Sequence, residues 1–169
     1  MKNTFVSEED LVLATMHSPD FINEFERSGW EKWQAREVEG LFGIPDLFLA
    51  FGKIDSSGEK NVFSYAFEMK RKNWKRALTQ AFRYAAFSNY SYVVLDSAYA
   101  NPAVRNIGKF QRSNIGLITV DTNCKLDVCF HPNYAIPYSE HLYKDFYNTL
   151  DIYLFECGIN TIAYNQYYS

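Results

Sequence analysis

The sequence predicts a single α/β domain, and three observations carry that reading. Strand-like and helix-like segments alternate along the middle of the chain, the order of a layered α/β architecture. At 169 residues and 47% hydrophobic content, the chain suffices for one well-buried core and falls short of two full domains. Aromatic residues make up 18%, with 13 Tyr and 14 Phe, which suits a packed sheet and offers stacking surfaces. Residues 1–169 are therefore read as one domain.

Each element has its own local warrant. Ser7 is placed to cap a first helix, and Glu8, Glu9 and Asp10 favour its positive end. His17-Ser18-Pro19-Asp20 breaks or restarts that helix, and Phe21, Ile22 and Phe25 form an apolar stripe before Ser28-Gly29 stops it. Residues 32–39 read as a strand leading into a turn at 40–43, with Glu37 and Glu39 on the face opposite Val38. The apolar run at 43–51 is strand-like and is interrupted by one acid, Asp46. A turn at 55–61 leads to 62–70, where large apolar and small or polar residues alternate with the period of a strand. Phe63, Tyr65, Phe67 and Met69 take one face; Ser64, Ala66, Glu68 and Lys70 take the other, so small residues leave space beside the two charges.

Residues 73–88 form the clearest helix, with Trp74, Ala77, Leu78, Ala81, Phe82, Ala85 and Ala86 on its apolar face and Arg76, Gln80 and Tyr84 on a second stripe. A buried strand is expected at 90–95, and a helix at 98–114 with Pro102 in its first turn and Arg105, Lys109 and Arg112 on one face. Strands at 116–121 and 125–130 pair as a hairpin. Cys124 and Cys129 fall on opposite faces of the strand-like segment 124–130, which argues against a shared zinc despite His131 nearby. After a loop at 131–137, Ser139 caps a final helix, giving a C-terminal element at about 139–157 ended by Gly158.

The net charge of −3 argues mildly against a nucleic-acid partner. Its distribution argues the other way, because Arg71, Lys72, Lys75, Arg76 and Arg83 gather beside Lys70. Three cysteines, an odd number, and no apolar leader near Met1 point to a reducing, cytoplasmic setting. No run reaches transmembrane length, so no membrane association is expected.

The chemistry concentrates between Gly43 and Tyr84. An Asp and a Glu on adjacent strand ends can share a divalent cation, which prefers hard oxygen ligands. A Lys on the Glu's own face would orient a water or stabilise negative charge on a phosphate. Each piece alone has a plain structural reading, because Glu-x-Lys occurs on surface strands and Pro-Asp is a turn signal.

Together, Gly43-x-Pro45-Asp46 and Glu68-x-Lys70 resemble the PD-(D/E)XK nuclease superfamily, and Gln80-Ala81-Phe82-Arg83-Tyr84 resembles the Q-x-x-x-Y element of its RecB-like members. The resemblance covers residues 32–96, about half the chain. It implies a restriction-endonuclease-like mixed central β-sheet flanked by helices, and magnesium-dependent cleavage of nucleic-acid phosphodiesters, with manganese as a substitute. It implies Asp46 and Glu68 as metal ligands, Glu37 as an additional site acid, and Lys70 as catalytic base or charge stabiliser. Gln80 would orient Lys70, a water or a phosphate. Arg71, Lys72, Lys75, Arg76, Arg83 and Tyr84 would bind the nucleic acid, with DNA the favoured substrate and 5′-phosphate and 3′-hydroxyl products. No separate DNA-reading module is evident, so recognition would fall to this domain, a homodimer partner or a larger complex. The competing class is a non-catalytic interaction module that keeps the fold and its acidic pocket without turnover.

Overall fold

The computed structural model describes residues 3–37, 43–58, 60–145 and 148. Its elements run α1 (Glu8–His17), α2 (Pro19–Phe25), β1 (Glu31–Arg36), β2 (Leu47–Ile54), β3 (Lys60–Lys70), α3 (Trp74–Tyr84), β4 (Tyr90–Asp96), α4 (Asn101–Val104), α5 (Ile107–Ser113), β5 (Gly116–Val120) and β6 (Leu126–Phe130). The six strands form one open sheet in sequence order. β1, β2 and β3 pair antiparallel, β3–β4 and β4–β5 parallel, and β5–β6 antiparallel, so the sheet is mixed. The two parallel steps need crossovers, which α3 and the α4–α5 pair supply.

The alternation along β3 divides the core in two. Tyr65, Phe67 and Met69 pack with Leu11 and Val12 of α1, Phe21 and Phe25 of α2, and Tyr92. Ala66 faces the other way, with Trp74, Ala77, Ala81 and Tyr84 of α3 and Phe110 of α5. Helices thus cover both faces, and β3 is interior to the sheet with neighbours on each side.

Local signals explain the helix ends. Ser7 and Asp10 form a reciprocal capping box at α1, Ser18 caps α2 with Pro19 in its first turn, and Asn73 caps α3. Ser139 Oγ accepts from Leu142 N at 3.3 Å, so the expected final helix starts where the cap predicts. The remainder of that element, its Gly158 stop and the turn at 40–42 lie outside the described residues.

Four expectations are corrected. The strand expected over 32–39 ends at Arg36, because Glu37 turns into the left-handed region at φ 48°. Val38 and Glu39 lie outside the described residues. The helix expected over 98–114 is two short helices, since the chain turns at Arg105 and Asn106 and Asn106 Nδ2 donates to Pro102 O at 2.8 Å. The apolar face of α3 includes Tyr84, 1% exposed, whereas Phe82 is 50% exposed. Cys124 sits before β6 at φ 61°, in the turn closing the β5–β6 hairpin, so it shares no strand with Cys129. No helix among the described residues is long and apolar enough to cross a membrane.

Candidate active site

Asp46 stands immediately before β2, one step beyond the Leu47–Phe67 register pair. Its N–H donates to Phe67 O at 3.0 Å, and its Oδ2 accepts Met69 N–H at 2.6 Å. The Asp46 side chain thus continues the β2–β3 ladder and lies beside Glu68, the residue between those two partners. The alternation of β3 then turns Glu68 toward α3 into a nearly dry position, its side chain 1% exposed.

Lys70 Nζ lies 2.9 Å from Glu68 Oε1 and 3.3 Å from Glu8 Oε2. Its side chain is 15% exposed, so the ammonium sits at the mouth of the site. Burial pulls the Lys70 amine down, but its hydrogen bond and charge interaction with Glu68, aided by Asp46 and Glu8, hold it above its ordinary value. Asp46 shows the opposite imbalance. Burial, and then the neighbouring charge of Glu68, push its carboxyl from 3.8 up to about 6, against the pull of the Met69 amide and Lys70.

Tyr84 ties the three motif segments together. Its hydroxyl lies 2.5 Å from Glu68 Oε2 and 2.9 Å from Ile44 O, so its single proton serves two acceptors. Burial, then the charge of Glu68, drive the phenol upward, and it stays neutral. Gly43 accounts for the ring's position. A Cβ there would lie 2.9 Å from Tyr84 Cε1, and the backbone has φ 118°, a conformation that favours glycine.

The remaining candidates divide. Gln80 is half-buried, and its Oε1 is buried without a hydrogen-bond partner among the described residues. Arg71 Nη1 donates to Val6 O at 2.7 Å, which fixes it to the N-terminal strap. Lys72 lies 4.6 Å above the Tyr99 ring and Lys75 5.9 Å from the centroid of Trp74. Arg76 and Arg83 are exposed on α3, while Tyr84 has its ring inside the core rather than on a binding surface. Glu37 is exposed beyond β1.

Glu8 is the site residue that sequence reasoning misses. Local sequence explains it fully as a helix-start acid, yet the fold brings it 3.3 Å from a lysine 62 positions away. Its neighbour Glu9 makes a fork with both terminal nitrogens of Arg36, at 2.9 and 2.5 Å, which clasps α1 to β1. Only the packing of α1 across the sheet could reveal this role.

The donor set suits a hard cation. Two carboxylates meet at one sheet end, Glu68 Oε1 is met by the Lys70 ammonium at 2.9 Å, and Asp46 is held high by burial and then by the charge of Glu68. No group of three or more His, Cys, Asp or Glu side chains is assembled to hold a metal among the described residues. A pair is nevertheless sufficient for magnesium, which retains several waters and binds through one or two carboxylates. No family model, curated protein or solved structure matches this chain.

Proposed function

We propose that this chain is a magnesium-dependent nuclease of restriction-endonuclease-like fold that hydrolyses nucleic-acid phosphodiester bonds, with DNA as the expected substrate. The observation that carries the reading is the convergence of Asp46, Glu68 and Lys70 at one end of β2 and β3, with burial and then the charge of Glu68 raising the cost of ionising Asp46. A mixed sheet covered by helices on both faces supports the fold assignment.

Asp46 and Glu68 would hold magnesium, which supplies Lewis acidity toward the scissile phosphate. Water attacks phosphorus, the bond to the 3′ oxygen breaks, and 5′-phosphate and 3′-hydroxyl ends result. Lys70 is an ammonium in this network, so it serves as a fixed positive charge facing the phosphate as negative charge builds there. Tyr84 holds the Glu68 carboxylate in place, and Glu8 draws Lys70 toward the mouth. Gln80 Oε1 is an acceptor left for a water or substrate group.

The test is cleavage of labelled linear, circular, single-stranded and branched DNA in magnesium, manganese and calcium, comparing the natural chain with Glu68→Gln and Lys70→Ala. Cleavage in magnesium and manganese, absent in calcium and strongly reduced in both variants, is expected. No divalent-dependent cleavage of any substrate would leave the non-catalytic module as the better reading.

A further inference from the structure

The sequence places basic residues on two separate strips, one on α3 and one around α5. The structure joins them at one aromatic ring. Lys75 of α3 and Lys109 of α5 both approach Trp74, with Nζ 5.9 and 5.6 Å from the ring centroid, and Trp74 itself packs on Phe110 at 5.9 Å. Two residues upstream of Trp74, Lys72 lies 4.6 Å above the Tyr99 ring. All three lysines are exposed, and none has a carboxylate within salt-bridge distance among the described residues. The strip begins two residues after Lys70, at the mouth of the carboxylate site.

This arrangement is peculiar for a chain with net charge −3. Like charges drawn from two helices toward one ring repel each other, and beyond each ammonium's attraction to the ring no carboxylate among the described residues gathers them. An extended polyanion does. The rings matter in a second way, because the ammoniums lie against them and stacking surface for bases is correspondingly reduced. Ammoniums are also point charges, without the planar fork that reads guanine.

The geometry points to Lys72, Lys75 and Lys109 as one platform that grips the nucleic-acid backbone without reading its sequence, carrying the substrate from Lys70 across the start of α3 to α5. The substrate identity rests on the nuclease reading above. Lys109 is the decisive residue, since it comes from the other helix, 39 positions from Lys70 in the chain. Each lysine that neutralises a phosphate contributes about 0.7–0.9 to the slope of log affinity against log salt.

The experiment is fluorescence anisotropy of labelled 20-mers, single-stranded and duplex DNA and the matching RNA, titrated with the full chain in calcium at several salt concentrations. Lys109→Ala should weaken binding several-fold at low salt and make the slope shallower by about 0.7–0.9, similarly for different base sequences. The triple Lys72, Lys75 and Lys109 alanine variant should flatten it by about 2–3. Lys53→Ala, on β2 away from its Asp46 end, removes the same charge and should leave the slope unchanged. Binding by the natural chain that Lys109→Ala does not alter overturns the platform and leaves the hydrolytic reading in place. Lysine-dependent binding by a chain that cleaves none of these substrates in magnesium or manganese sustains the platform and overturns hydrolysis. No salt-dependent binding by the natural chain overturns both.

Discussion

The two faces of β3 solve opposite problems with alternate residues of one strand. Toward α1 and α2, Phe67 is fully buried and its ring lies 5.1–5.4 Å from those of Phe21, Phe25 and Tyr92. Toward α3, Ser64 and Ala66 are equally buried but small, and Glu68 beyond them is a charge with 1% of its side chain exposed. The first face gains stability from packing. The second keeps charged groups in a dry place, which costs free energy and gives those groups electrostatic strength they would lack in water.

The sharpest break in this comparison is on the packed face. Phe67→Ala should cost about 3–5 kcal/mol, the range for a large aromatic removed from a core, as measured by urea denaturation. Next comes the charged face, where Glu68→Gln keeps the volume and leaves an acceptor for Tyr84. It should reduce cleavage by about 10²–10³-fold, the scale of losing one preorganised electrostatic group, while the protein remains folded.

A third change should act in the stabilising direction. An acid whose folded value is raised binds its proton more tightly in the folded state, so the metal-free fold loses stability as pH rises from 3.8 to about 6 and does not regain it above. Asp46→Asn removes that penalty and retains an acceptor for Met69 N–H. At pH 8 without divalent ions it should unfold later than the natural chain by about 2–3 kcal/mol, and the advantage should vanish near pH 4. The smallest effect expected is for Tyr84→Phe, which removes the hydroxyl from Glu68 and Ile44 at a cost of about 1–2 kcal/mol. A midpoint shift in denaturant, with cleavage reduced but present, checks it.

These differences also explain what sequence alone makes legible. The alternation at 62–70 fixes which residues of β3 share a face, and the observed cores divide accordingly. The placement of Asp46 beside Glu68 is legible because Asp46 leads directly into β2, the antiparallel neighbour of the strand that carries Glu68. Glu8 is not legible, because its contact with Lys70 depends on how α1 packs and not on any local pattern. The exchange of Phe82 for Tyr84 on the buried face of α3 has a related cause: hydropathy favours Phe, but only Tyr brings a hydroxyl to Glu68. The break between α4 and α5 turns on Asn106 bonding back to Pro102, a competition between side chain and helix that periodicity does not register. Lys109 remains in the α5 strip by spacing, and only the approach of Trp74 to Phe110 joins it to Lys75.

The central claim is that Asp46 and Glu68 form a cation site, and the most direct measurement is thermal unfolding with and without calcium at pH 8 and pH 5. Calcium should raise the melting temperature of the natural chain at pH 8, and do so much less at pH 5, where Asp46 takes up a proton with its value near 6. Asp46→Asn and Glu68→Gln should each lose the response at both values. A calcium response absent at pH 8, or one that persists unchanged in both variants, would contradict the account.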